Sequence, residues 1–195
     1  MPGYLLKHPL YAEHSNRIVS KKASDLYTAM TAKLLHPDVL AVLQSLSVPF
    51  EALACDPDLA DTMAFCDHYG FTPQQSANAL MLGSTKGAPK FACCIVLANC
   101  RLDVNKVVRK KLGVRRLSFA DPETTKQLTG MELGGVTPFG LPPELPLWID
   151  SRVMKCEKII LGGGNRSSKL LMPPEGLSRL PGSEVVEGLA FLIEQ

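Results

Sequence analysis

The amino-acid sequence predicts a single α+β domain. Its 195 residues are 46% hydrophobic, enough to bury one compact core without covalent staples. Short helical patterns bounded by capping residues alternate with short apolar runs, the rhythm of a chain that builds helices and strands in turn. No internal repeat is visible, which argues against a solenoid.

Residues 1–36 mix Lys, His, Ser and Asn and read as an N-terminal arm, with a helix expected around Ala23 to Leu35. The domain proper is expected over residues 37–195. His36-Pro-Asp38 opens a stretch in which Val39, Leu40, Val42, Leu43 and Leu46 recur at helical spacing until Pro49. Phe50 to Ala54 reads as a short strand. Asp61 to Gly70 carries an acidic first turn and a closing glycine, the marks of a short helix. Ala77 to Leu82 and Phe91 to Ala98 are apolar runs joined by the polar tip Gly83 to Lys90, which predicts a β-hairpin. Asp103 to Gly113 has a capping aspartate, an apolar face of Val104, Val107, Val108 and Leu112, and a basic outer side. Arg115 to Ala120 reads as a short strand, and Asp121 to Gly130 as a capped helix with proline in its first turn. Further strands are expected at Leu147 to Asp150 and Lys158 to Leu161, with a last extended segment over Glu184 to Ala190.

The net charge of +2 is too small to announce nucleic-acid binding, so any grip on RNA must come from a local basic stripe. Six cysteines, at 55, 66, 93, 94, 100 and 156, include no C-x-x-C pair and follow no secretory leader, which predicts reduced thiols. Cys93 and Cys94 sit in one apolar strand, where neighbouring side chains point to opposite faces, and are expected to be core residues. His8, His14, His36 and His68 are scattered, so no metal site and no cofactor is expected. The apolar runs fall short of the roughly twenty residues a membrane span needs, and a cytoplasmic protein is the expectation.

Three segments are candidates for chemistry. Gly134-Gly-Val-Thr-Pro-Phe-Gly-Leu-Pro142 can hold backbone N–H groups toward a bound carbonyl or phosphate, although a tight helix-to-strand connection explains the same composition equally well. Gly162-Gly-Gly-Asn-Arg166 matches neither the dinucleotide fingerprint nor the P-loop, which excludes nucleoside triphosphate binding. It is either a structural turn or a place where the backbone nears an RNA phosphate or terminal adenosine, with Arg166 and Lys169 supplying charge. Lys106, Arg109, Lys110, Lys111, Arg115 and Arg116 concentrate charge on one helix and its exit; such runs are commonly solvated faces and sometimes polyphosphate contacts. No Ser-His-Asp or Cys-His triad can be assembled. Hydrolysis would therefore rest on backbone donors around a developing oxyanion, with ordered water or a substrate hydroxyl.

From about Leu40 to Leu189 the order of segments resembles the YbaK/prolyl-tRNA-synthetase-associated family. The resemblance is sharpest in Leu128-Thr-Gly-Met-Glu-Leu-Gly-Gly-Val-Thr-Pro-Phe-Gly-Leu-Pro142, and is supported by Arg101 to Lys106, Leu117 to Glu123 and Leu161 to Arg166. Members of that family hydrolyse the ester between a mistaken amino acid and tRNA. The resemblance implies a mixed, partly barrel-like β-sheet flanked by helices, and a free-standing aminoacyl-tRNA deacylase. Its partner would be the aminoacylated 3′ end of tRNA, with an aminoacyl-tRNA synthetase as a further candidate. Gly134, Gly135 and Pro138 would form the catalytic loop that holds the aminoacyl carbonyl, extended by Val136, Thr137 and Phe139. Gly163, Gly164 and Asn165 would complete the substrate site. Met63, Phe65 and Leu82 would set pocket volume, and Lys106, Arg109, Lys110, Arg166 and Lys169 would contact tRNA. One position departs from the family pattern: where members have a lysine, this chain has Asn78, which with Ser76 would orient the aminoacyl group without supplying charge. The alternative reading is a non-catalytic tRNA- or protein-binding relative.

Overall fold

The computed structural model describes residues 31–193. Most of the helix expected around Ala23 to Leu35 lies outside them, although residues 31–34 are helical. Helix α1 (Pro37–Ser45) starts where expected, because His36 accepts the Asp38 N–H and Pro37 occupies the first turn. It buries Val39 and Leu43, one helical turn apart.

Among the described residues ten strands follow the predicted rhythm and add to it. After β1 (Glu51–Ala54) come a 3₁₀ turn (Pro57–Leu59) and helix α2 (Thr62–Tyr69), which ends on Gly70 in the left-handed conformation. The expected hairpin is β2 (Ala77–Ser84) with β3 (Phe91–Leu97), in register from Ala77 opposite Leu97 to Gly83 opposite Phe91. β4 (Cys100–Leu102) leads into a π-turn over Val104–Val108, capped by Asp103, and then helix α3 (Arg109–Leu112). Both Val107 and Val108 donate to the Asp103 carbonyl, which widens that turn. β5 (Leu117–Phe119), α4 (Pro122–Thr129), β6 (Leu147–Asp150) and β7 (Ile159–Gly162) match expectation. β4 and β8 (Ser168–Met172) were not anticipated, and the expected last segment is two strands, β9 (Ser183–Val186) and β10 (Ala190–Leu192).

The strands form a mixed five-stranded sheet in the order β5-β2-β3-β6-β9, a three-stranded sheet β1-β8-β7 and a pair β10-β4. A parallel bridge between Ser76 and Ile160 joins the first two, giving a curved arrangement that does not close into a full barrel. β3 lies inside the large sheet and is buried on both faces from Ala92 to Leu97, which explains its unbroken apolar run. Cys93 and Cys94 are completely buried there. Burial pushes the Cys94 thiol up to about 12 and Cys93 well above its usual range, so both are inert, neutral core groups. No helix among the described residues is long and apolar enough to cross a membrane.

Candidate functional site

The bridge between Ser76 and Ile160 brings the start of β2 beside β7, and a cleft of about 160 Å³ opens at that junction. At about 30 Å³ for a water-sized group, it holds roughly five heavy atoms, the size of a small aminoacyl group. Thr62 and Phe65 of α2 line one side, Ser76 just before β2 and Asn78 of β2 another, and Gly134, Val136 and Gly162 a third, with Lys169 of β8 reaching in.

The glycine wall follows from close packing. Lys169 pairs across the sheet with Leu53 on one side and Gly162 on the other, and residues directly opposite in an antiparallel pair share a face. Gly162 leaves that face open, and the backbone of Gly135 and Val136 occupies the space its Cβ would fill. Gly135 lies in turn against the Asn165 backbone, where a Cβ would overlap it, and accepts the Gly164 N–H at 2.8 Å. The two glycine runs are therefore one interlocked unit. Arg166 clamps it: Nε and Nη2 donate to the Pro57 carbonyl and Nη1 to that of Leu133. Asn165 is occupied as well, donating to Leu34 O and accepting from Ser167 N and Ser168 Oγ.

Lys169 is 6% exposed. Its ammonium donates to Ala60 O at 2.5 Å and Gly134 O at 2.8 Å and lies 5.4 Å from the Phe65 ring centroid. Among the described residues no carboxylate is within ion-pair distance of it. Burial holds its pKa below the usual lysine value; Arg166 adds to that shift, whereas Cys55, Asp61 and Cys66 oppose it. On the facing wall Asn78 accepts the Thr62 hydroxyl at 2.6 Å through Oδ1, which leaves Nδ2 to donate to a ligand. Ser76 Oγ is 3.1 Å from Cys66 Sγ. The amides of Gly134 and Val136 meet no acceptor among the described residues, so the loop offers donors beside the ammonium.

The other expected site residues lie elsewhere. Met63 points outward at 53% exposure, and Leu82 is buried in the main core, so of the residues expected to set pocket volume only Phe65 lines the cleft. Thr137 and Phe139 are fully buried behind the loop. Pro138 borders a second, apolar groove with Leu141, Leu145 and Leu180. Gly163 and Gly164 pack on Ser168 and on His36 with Val39, respectively. Lys106 and Lys110 are exposed, and Arg109 turns Nε back to the Asn105 carbonyl. The main surprise is Lys169, expected on an RNA-facing surface but found inside the cleft. Finding it there requires knowing that β8 exists and that its register sets Lys169 opposite a glycine. Thr62 and the Ala60 carbonyl, which fix Asn78 and Lys169, carried no sequence signal. Among the described residues no three His, Cys, Asp or Glu side chains gather as a metal site.

The sequence profile of the aminoacyl-tRNA editing domain matches residues 56–180. The uncharacterized protein YwhH of Bacillus subtilis is 29% identical over 91 residues, 47% of this chain and 57% of that protein; the match thus spans little more than half of that relative's length. Among solved structures, the hypothetical protein APE2540 superposes with a TM-score of 0.69 at 20% identity, covering 78% of this chain and 99% of its own. A candidate trans-editing enzyme for prolyl-tRNA synthetase gives 0.66 at 23% identity, covering 83% and 99%. At such identities these structures speak for the fold alone. The profile match takes in every cleft residue from Asp61 to Lys169 and well over half of the chain, and on that ground the chain belongs to the aminoacyl-tRNA editing domain family.

Proposed function

We propose that this protein is a free-standing deacylase that hydrolyses the ester between a mistaken amino acid and tRNA. The observation that carries the reading is the cleft itself, a space of aminoacyl size lined by Asn78 and by Gly134 and Val136, whose amides meet no acceptor among the described residues. In this reading Asn78 Nδ2 and the amides of Gly134 and Val136 hold the acyl group, and Ser76 bounds its inner end. Water attacks the acyl carbon, the bond to the ribose oxygen breaks, and that oxygen takes a proton from the water. The products are a free amino acid and tRNA with its terminal hydroxyl restored. Donors fixed in place before the reaction stabilise the oxyanion without reorganising. Exposed Lys106 and Lys110, with Arg115 and Arg116, supply a phosphate-contacting surface in a cytoplasmic protein built around residues 37–195.

The test is release of amino acid from alanyl-, cysteinyl- and seryl-tRNA by the purified chain, against a no-enzyme control and Asn78→Ala. Hydrolysis of one species, reduced roughly tenfold or more in the variant, is the expected result. Measurable tRNA binding with no release from any of the three favours the non-catalytic relative.

A further inference from the structure

Resting on that reading, we infer that Lys169 is a catalytic residue of this site, whose ammonium donates its remaining N–H to the acyl oxygen of the bound aminoacyl ester. An ammonium has three donors; the carbonyls of Ala60 and Gly134 take two and fix its position, and the side chain lines the cleft. A buried charge without a counter-ion is expensive unless something compensates it. Two neutral carbonyls and the Phe65 ring do so only in part, which leaves a group prepared for negative charge that develops during the reaction. The amides of Gly134 and Val136 are beside it on the loop that it holds down.

Charge also orients the substrate. Asp61 lines the cleft, with its side chain 77% exposed and 3.9 Å from Arg166. The α-ammonium of an aminoacyl group is drawn toward Asp61 and repelled by Lys169, so the acyl oxygen is the end presented to Lys169. When water adds to the acyl carbon, the former carbonyl oxygen gains the electron pair of the broken π bond, and the ammonium stabilises it as a cation. When the bond to the ribose oxygen breaks, that electron pair re-forms the carbonyl. Lys169 begins and ends protonated, and water supplies every transferred atom.

The groups facing Lys169 are Cys55 just after β1, Asp61 and Cys66 at α2, and Arg166 from the loop before β8. Because burial lowers its pKa, Lys169 loses its proton at lower pH than a surface lysine. A function that needs the cation therefore falls as pH rises through that lowered value.

The experiment uses 3′-aminoacylamino-3′-deoxyadenosines carrying alanine, cysteine or serine, whose amide resists the alkaline hydrolysis that would obscure an ester. Their binding is measured across pH for the full chain, Lys169→Gln and Lys169→Arg, alongside single-turnover deacylation of the matching tRNAs. Gln keeps N–H donors, one bond nearer the backbone, but not the charge; Arg keeps the charge; thermal unfolding checks that each variant folds. The expected result is roughly tenfold weaker analogue binding in Lys169→Gln, a loss of about 10²–10³ in the single-turnover rate, and partial recovery in Lys169→Arg. Wild-type affinity declines with rising pH and that decline disappears in Lys169→Gln. Deacylation and binding unchanged in Lys169→Gln would overturn the role of Lys169 and leave the deacylase reading intact. Analogue binding that depends on Lys169 without ester release would keep Lys169 as a ligand contact and remove the turnover. Failure of the wild type to bind any analogue would overturn both.

Discussion

The protein carries positive charge in two ways. Around α3, Lys106, Lys110, Arg115 and Arg116 stand in solvent, where ions screen each charge within about 8 Å at physiological salt. In the cleft one ammonium, Lys169, is almost fully enclosed and bonded only to neutral carbonyls. The cluster has more charge, yet the single lysine has more influence on a reacting atom, because its field acts through protein rather than water. The number of charges governs encounter with a polyanion, and burial governs what a charge does to chemistry.

The largest test of that contrast compares Lys169→Gln with neutralisation of the cluster. In single-turnover deacylation the cleft variant loses about 10²–10³ in rate, while its affinity for uncharged tRNA and the salt dependence of that binding stay near wild type. An equal loss of tRNA affinity in Lys169→Gln would erase the contrast. Next in size is the glycine interlock on which the lysine depends. Gly162→Ala or Gly135→Ala forces a methyl into facing backbone, costing about 1–3 kcal/mol of stability. It also lifts the Gly134 carbonyl from Lys169. Urea unfolding and deacylation should fall together in these variants; wild-type rates in a destabilised protein would show that the interlock only supports the fold.

Smaller again is the cluster. Replacing Lys106, Lys110, Arg115 and Arg116 with Gln is expected to raise KM for tRNA with kcat unchanged. The slope of log affinity against log salt should flatten by about 0.7–0.9 for each phosphate contact removed. A normal slope in the fourfold variant means the helix is a solvated face and tRNA approaches elsewhere.

Much of the fold is legible in the sequence because its elements carry local marks. Asp121 and Gly130 bracket α4, Gly70 ends α2, and the doubly buried β3 reads as an unbroken apolar run. β8 escapes because Ser168-Lys-Leu-Leu-Met172 lacks a clean two-residue alternation and places a lysine inside what proves to be the central strand of its sheet. The site divides in the same way. Gly134, Gly135 and Asn78 stand out by composition or resemblance, and the structure sets Gly134 and Asn78 in the cleft wall with Gly135 packed behind them. The position of Lys169 follows from tertiary register with Gly162 and Leu53, to which a linear reading has no access. Arg166 shows the converse: beside a glycine run it reads as a phosphate contact, yet its guanidinium is spent on two backbone carbonyls.

The smallest expected effect belongs to an exposed cation with favourable contacts. Lys111 is 2.7 Å from Glu184 and 5.3 Å from the Trp148 ring centroid, tying α3 to β9. Its side chain is 28% exposed and that of Glu184 54%, so water competes for both charges. An ion pair of that kind contributes about 0–1 kcal/mol, and the ring contact about 0.5–1 kcal/mol. Lys111→Met keeps the hydrocarbon stem on the tryptophan but removes both contacts, and should cost less than about 2 kcal/mol in urea unfolding, with kcat unaltered. A double-mutant cycle with Glu184→Gln isolates the pair, and its coupling should shrink as salt is added. Coupling above about 2 kcal/mol, insensitive to salt, would mean that this charge is shielded as Lys169 is, and exposure would no longer separate the two kinds of cation.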